Sequence, residues 1–335
     1  MYGSKRHAIA VGTLLLVLLA SGVLTACHTP APERDEITVQ LSWFHTVEFA
    51  GFYAAEQQGY YAEENLTVRL LPGGFDILPW EEVADGKADF GVTGGDSLLI
   101  ARSKGLPLEA IATIFRESPV VLMALAESGI ETPWDMAGKR VGMTSPAMDN
   151  TNDIQLLAML QRLGIDRSQI EFVAIEDYSV NSLTSGAMDV YNGFSTNEVV
   201  EAQLKGVAVN QIFPQDYDVL IYPNVLFADE QMVEEQPELV ERFVRATLRG
   251  YQYAIENPVE AAELALRYDE KLDLAFQRAS MDAEIPLIDT GDASIGTMEG
   301  VVWQRTQDIL VGSGFISSTV DLSTFYTNEF VEKAK

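Results

Sequence analysis

The chain is poor in the side chains that most enzymes and metal proteins depend on. Among 335 residues there is one cysteine, Cys27, and there are three histidines. A single thiol rules out an intrachain disulfide and any multi-cysteine zinc site. His7 and His28 lie close to the N-terminus, so His45 is the one histidine in the predicted folded body. A two-histidine metal site is therefore excluded there, and no HExxH occurs. A Ser-His-Asp triad would have to use His45, and no GxSxG elbow accompanies it. No GxxxxGK[ST] phosphate loop is present, and the Gly-rich GVTGGD (residues 91–96) fits neither that spacing nor GxGxxG. Its simpler use is a tight strand-to-helix turn that presents backbone N–H groups at a helix start. Positive charge is also scarce: 22 Lys and Arg stand against 50 Asp and Glu, a net charge of -28. Such a surface repels nucleic acid and anionic headgroups, so no nucleic-acid partner is expected. The many carboxylates are scattered as solvated faces usually are, and no catalytic pair stands out. Together these absences argue against an enzyme.

Long apolar runs are missing too, except at the start. Lys5, Arg6 and His7 precede AIAVGTLLLVLLA (residues 8–20), which is too short to span a bilayer comfortably. This pattern reads as a secretory signal over residues 1–26. Leu24-Thr25-Ala26-Cys27 resembles the lipobox of bacterial lipoproteins, which implies cleavage before Cys27 and lipid on its thiol. Residues 27–36 then read as a polar, proline-containing tether holding the body to the membrane. If Cys27 carries lipid, the body has no thiol left for nucleophilic chemistry.

What the body does contain is alternation of strand-like and helix-like segments. ITVQLSW predicts a first strand ending at Trp43, and EFAGFYAAEQQGYY predicts a helix stopped at Gly59. LTVRLLP is a strand closed by Pro72-Gly73-Gly74. A short helix, a turn at Gly86, a strand over 89–93 and a helix capped by Asp96 or Ser97 follow. This order predicts βαβ units and a largely parallel sheet. A second run of the same kind begins near Ser118. VADGKADFGVTGGDSLL and LTSGAMDVYNGFSTNEVV share a Gly-x-x-Asp turn before a strand, at Gly86/Asp89 and Gly186/Asp189. The echo predicts two similar α/β lobes, although short βα turns also resemble one another by chance. After Tyr222-Pro223 the sequence reads as helical to the end, with Pro237 and Pro258 marking helix starts.

In open α/β sheets ligands bind beyond the carboxyl ends of the parallel strands. That edge should hold Trp43, Phe44, His45 and Glu48 after the first strand, and Thr93, Gly94, Asp96 and Ser97 after the third. In the second lobe it should hold Ser145, Asn150, Tyr191, Asn192, Asn197 and Glu198. The set combines aromatic faces with small, hydroxyl, amide and few charged groups, and it suits a flat, neutral, hydrogen-bonding ligand. A sulfonate or phosphate site would need a convergent cation, and only Arg116 is at hand. Phe49, Phe52 and Tyr53 follow helical spacing and belong to the core. Tyr60 and Tyr61 should pack on the next strand. His45 suits a structural hydrogen bond as well as the site, and Asn192 and Asn197 suit a turn and a cap as well.

The residues 41–70 (LSWFHTVEFAGFYAAEQQGYYAEENLTVRL), GKADFGV (86–92), WDMAGKRVG (134–142) and STNE (195–198) resemble the SsuA/THI5-like (NMT1-like) periplasmic binding proteins of ABC importers. The resemblance covers most of residues 36–330. It implies a type II periplasmic-binding-protein fold: two α/β lobes joined by a two-crossover hinge, with ligand in the interlobe cleft. Lobe one would comprise residues 36–118 plus 220–335, and lobe two residues 119–219. It also implies an ABC permease and its ATPase as partners, at the extracytoplasmic face of the membrane, with no cofactor. The pyrimidine-synthase branch of the family carries a cysteine-rich CCCFC run, and no cysteine stands there in this chain. Family ligands include alkanesulfonates, thiamine-related pyrimidines and riboflavin. The sequence looks most similar to the riboflavin-binding member that partners a RibX-type permease, which makes riboflavin the favoured transported ligand.

Overall fold

Two sheets of one design organise the residues that the computed structural model describes, 34–144 and 150–334. The leader 1–26, Cys27, most of the tether and Ser145 lie outside the described residues. In the first sheet the strands are β1 (Asp35–Gln40), β2 (Leu66–Leu71), β3 (Phe90–Thr93), β4 (Leu108–Thr113) and, far along the chain, β10 (Val225–Asp229), in the order β2-β1-β3-β10-β4. The second is built from β5 (Val120–Leu125), β6 (Arg140–Met143), β7 (Glu171–Ala174), β8 (Tyr191–Phe194) and β9 (Val209–Ile212). Here β8-β5-β9 and β6-β7 are joined by a parallel bridge from Val141 to Val190, giving the order β7-β6-β8-β5-β9.

The two orders superimpose strand for strand. In each sheet the strand that runs against the others, β10 or β5, is the one the chain enters on crossing from the opposite sheet. The two crossing segments touch, since the Ile114 N–H donates to the Asn224 carbonyl at 2.7 Å. These are the two lobes and double crossover of a type II periplasmic-binding-protein fold.

The sequence echo at Gly86/Asp89 and Gly186/Asp189 has a physical cause. Both glycines adopt positive φ, 68° and 72°. Both aspartates then reach back to the parallel strand that theirs pairs with, β1 for Asp89 and β6 for Asp189. Asp89 Oδ2 accepts the Thr38 N–H at 2.7 Å, and Asp189 Oδ2 accepts the Arg140 N–H at 2.8 Å. Each carboxylate thus locks a parallel pairing at its entry.

The helices that carry the argument are α1 (Ala50–Gln57), α2 (Gly95–Ser103), α3 (Thr151–Arg162), α4 (Glu198–Leu204), α5 (Pro237–Glu256), α6 (Pro258–Ala265), α7 (Leu274–Ile288) and α8 (Gly300–Gly312). Pro237 and Pro258 occupy first-turn positions, where the missing N–H costs nothing. Helices α1 and α5 meet at Gly51 and Gly250. A Cβ on Gly51 would overlap the Tyr251 ring, and one on Gly250 would overlap the Gly51 carbonyl. The resulting core holds Phe49, Phe52, Tyr53, Phe90, Phe243 and Tyr251. A second core runs from β4, α2 and α8 of the first lobe to β5, β6 and α3 of the second. Helix α7 packs against the 47–49 segment of lobe one and against α4 of lobe two.

Several expectations need correction. The first strand ends at Gln40 rather than Trp43, because residues 42–46 leave the sheet to turn over its edge. Neither Asp96 nor Ser97 caps α2; Gly94 does, and Asp96 Oδ1 accepts the Ser97 N–H at 2.7 Å instead. The chain is not purely helical after Pro223, since Val225–Asp229 returns to the first sheet. Tyr61 packs on α5 as well as beside the next strand, with its hydroxyl 3.0 Å from Thr247 Oγ1 and its ring stacked on Phe243.

Candidate ligand cleft

The carboxyl ends of strands in the two sheets approach each other. Asp96, just beyond β3, accepts a hydrogen bond from the Thr151 hydroxyl, just beyond β6, at 2.7 Å. Phe75, beyond β2, lies against Tyr178, beyond β7, with ring centroids 5.2 Å apart. The junction between these edges is where the sheet-edge rule puts a ligand.

Its polar wall is centred on α3. Asn150 caps this helix by accepting the Asp153 N–H at 3.0 Å, and its amide donates to Thr144 Oγ1. Buried Asp153 accepts from the Thr144 N–H at 3.1 Å, the Thr144 hydroxyl at 3.0 Å and the Asn192 amide at 3.0 Å. Three buried atoms in this wall have no hydrogen-bond partner: Asp96 Oδ2, Asn192 Oδ1 and Gln155 Nε2. Unsatisfied buried polar atoms are costly, and two acceptors and a donor together are what a hydrogen-bonding ligand would satisfy. Burial raises the Asp96 carboxyl to about 6 against hydrogen bonds from Thr151 and Ser97 that lower it. Gly94 is required here, because a Cβ would crowd both the Thr151 hydroxyl and the Asp96 carboxylate.

At the mouth stands an aromatic wall. Trp43 meets Phe44 edge-on at 5.2 Å and Phe75 at 4.8 Å, and Phe75 carries the contact across to Tyr178. Phe44, Phe75 and Tyr178 are 46%, 60% and 42% exposed, unusual for large rings and suited to receiving a flat ligand. Phe75 was missed from the sequence. The signal was the preceding Pro72-Gly73-Gly74: Gly73 donates its N–H to the Trp43 carbonyl at 2.8 Å, and a Cβ there would lie 2.5 Å from the Leu41 oxygen. Only glycine lets this loop fold onto the first strand's exit and present the ring.

The other predicted residues divide. Glu48 sits at the same sheet edge, where its Oε1 accepts the Asn224 amide at 2.7 Å and burial pushes its carboxyl up to about 7. Thr93 is buried at the end of β3, and Ser97 is half-buried in the first turn of α2. Asn197 precedes α4 without a side-chain capping bond. Glu198 closes the turn after β8 by accepting the Phe194 N–H at 2.8 Å, with burial raising its carboxyl to about 7. Tyr191 packs with Met123, Ile175 and Leu183 in lobe two's own core. His45 joins the Tyr53–Tyr268 stack, its Nδ1 3.1 Å from the Tyr53 hydroxyl. Arg116 is held by Thr290, by Asp292 and by Glu299 at 2.6 Å, so its charge is neutralised within lobe one.

The NMT1/THI5-like family matches residues 46–261. The chain belongs to this family. Within similar range are the riboflavin-binding protein RibY of Chloroflexus aurantiacus, 27% identical over 98% of each chain, and a formylaminopyrimidine-binding protein of Halalkalibacterium halodurans, 27% identical over 87% of this chain and 91% of that one. Among solved structures the periplasmic aliphatic sulphonate binding protein SsuA of Escherichia coli superimposes with a TM-score of 0.69, covering 88% of this chain and 92% of its own, at 16% identity. That likeness concerns the fold. As an NMT1/THI5-like protein, this chain has two α/β lobes, and at the strand ends between them stand aromatic, amide, hydroxyl and carboxyl groups, with Arg116 already paired.

Proposed function

We propose that this protein is the substrate-binding component of an ABC importer, that it captures a flat, neutral aromatic heterocycle, and that riboflavin is its ligand. The observation that carries the ligand class is the aromatic bridge Trp43–Phe75–Tyr178 beside a wall of unsatisfied amide and carboxyl atoms, with Arg116 unavailable to an anion. An isoalloxazine ring would stack at the mouth, and ring-edge or ribityl groups would bond Asp96, Asn192 and Gln155. The similarity to RibY over nearly the whole chain supports riboflavin, and the similarity to a formylaminopyrimidine-binding protein supports a thiamine-pyrimidine precursor as the second reading.

In this reading residues 36–118 plus 220–335 form lobe one, residues 119–219 form lobe two, and closure about the touching crossovers traps the ligand. Lipid on Cys27 would hold the protein at the extracytoplasmic face beside its permease. An enzymatic role on the same fold would ask for a base or an acid pair at the cleft; His45, the one histidine candidate, is engaged with Tyr53, and the acids there, Asp96 among them, serve ligand binding in this reading.

The test is a ligand panel on the soluble form that begins after Cys27, read by tryptophan fluorescence and by riboflavin's own emission. Mutual quenching with riboflavin, absent with alkanesulfonates and thiamine pyrimidines, is the expected result. A response to a pyrimidine alone would keep transport and discard riboflavin.

A further inference from the structure

A second polar group of residues lies on the lobe-one side of the cleft, where α7 passes between the 47–49 segment and α4. Glu48 comes from the 47–49 segment and takes the amide of Asn224, which directly precedes β10 at the cleft edge. Glu284 comes from α7, is 2% exposed, and has an Oε2 with no hydrogen-bond partner. One turn earlier on α7, Ser280 is equally buried and its Oγ is also without a partner. Gln277 fastens the helix in place, its Oε1 accepting the Val47 N–H at 2.7 Å. Tyr53 from α1 and Tyr251 from α5 face both carboxylates, and Tyr251 donates its hydroxyl to the Glu48 carbonyl at 3.2 Å.

The groups around the two acids are therefore phenols, amides and a hydroxyl. His45 meets this group through Tyr53, and burial lowers its pKa, which favours its uncharged form. Two carboxylates that face the same phenols, one buried and one part-buried, with no cation bonded to either among the described residues, do not both ionise at modest cost, so the pair keeps one proton between them. Burial, and then the charge of Glu48, push Glu284 well above the ordinary carboxyl range, in the same direction.

Building on the riboflavin reading, we infer that Glu48 and Glu284 form a cation-free acidic floor that admits the neutral, hydroxyl-bearing ligand and rejects its phosphate ester. Hydroxyls can donate to the carboxylate and accept from the shared proton or from Ser280. A phosphate brings like charge to a site with no cation to offset it.

The experiment compares riboflavin with riboflavin 5′-phosphate by fluorescence titration, in the wild type, Glu48→Gln and Glu284→Gln. The wild type should favour riboflavin by about a hundredfold, from like charges at short range in a half-buried site, and each variant should narrow that preference by about tenfold. Equal wild-type affinities, or an unchanged ratio in folded Glu48→Gln, would overturn the proposal. A second readout does not depend on the ligand. The infrared difference between wild type and Glu284→Gln at neutral pH should contain the C=O band of a protonated carboxyl, and its absence overturns the acid pair. If that band is present and no flavin binds, the riboflavin reading falls and the proposed discrimination against its phosphate ester falls with it, while the shared proton stands.

Discussion

Raising the pH from 5 to 8 should destabilise this protein, and the cleft is the reason. Burial raises Glu48 and Glu198 from 4.5 to about 7 and Asp96 from 3.8 to about 6. Each of these groups holds its proton in the folded state at a pH where the unfolded chain has already lost it. Between the two pKa values the folded state binds more protons, so stability falls as pH rises through that window and is fully regained only below the unfolded values. Over pH 5 to 8 each glutamate would contribute about 2.5 kcal/mol and Asp96 about 1.4 kcal/mol if fully screened from water, and allowing half for partial exposure leaves about 3 kcal/mol from these three, with Glu109 and Glu284, which burial also raises, acting in the same direction. For a chain of this size that is a fall in Tm of about 6–10 °C. His45 opposes the trend, because its lowered pKa removes stability as pH falls below 6.5, but it is a single half-buried group. The aspartates held low by hydrogen bonds, such as Asp135, Asp166 and Asp189, lose their contribution only below the window.

Calorimetric melts of the unliganded soluble form, at fixed ionic strength from pH 5 to 8, would measure this. Surface repulsion in a chain of net charge -28 pushes in the same direction. The two causes separate in about 0.5 M salt, which screens surface charge and leaves buried carboxyls largely untouched. A Tm that is flat or rises towards pH 8 in high salt would refute the account of the buried carboxyls. So would a Glu198→Gln variant with the same slope as the wild type.

Two further outcomes test the packing. Gly250→Ala should cost about 3 kcal/mol or more, seen as a lower midpoint in denaturant melts, because a Cβ there meets the backbone of α1 rather than a movable side chain. Asp189→Ala should cost about 2–3 kcal/mol by the same assay, since it removes the carboxylate that receives the Arg140 N–H and side chain and leaves a part-buried donor unmatched.

Much of the fold was legible because its signals are local. The Gly-x-x-Asp turns, the first-turn prolines and the period of the apolar residues each act within a few positions, and the repeat of one turn announced two lobes. What sequence could not reveal were pairings set at long range. VLFAD reads as the start of a helical region, yet it becomes β10 because residues at positions 93 and 113 leave a strand-wide gap between them. The same limit applies to the cleft. Trp43, Asp96, Asn150 and Asn192 stand at or after strand ends; Asn150 and Asn192 both bond Asp153, and Asp96 bonds the adjacent Thr151. Tyr191 was named from the same strand as Asn192, but alternation along β8 sends neighbours to opposite faces. Glu284 and Ser280 come from a helix without a motif, and only the packing of α7 makes them visible.

The repeated design also bears on the proposed site. The end of β2 meets the end of β7 at Phe75 and Tyr178, and these are equivalent strands. The end of β3 meets the end of β6 at Asp96 and Thr151, so the matching pair is the end of β8 with the end of β1. That third junction is where α7 fills the space between α4 and the 47–49 segment. The two flanks of the cleft are thus related by the repeat but chemically different. One carries Asp96, Asn192 and Gln155 with unsatisfied acceptors and a donor; the other carries the acid pair Glu48 and Glu284 beside Ser280. An elongated ligand with unlike ends, a heterocycle at one and a neutral hydroxylated chain at the other, would find a different partner on each flank, with its ring held between them by the aromatic mouth. A compact pyrimidine would leave one flank unsatisfied. That asymmetry, built on a nearly symmetric frame, is why the flavin reading ranks above the pyrimidine one.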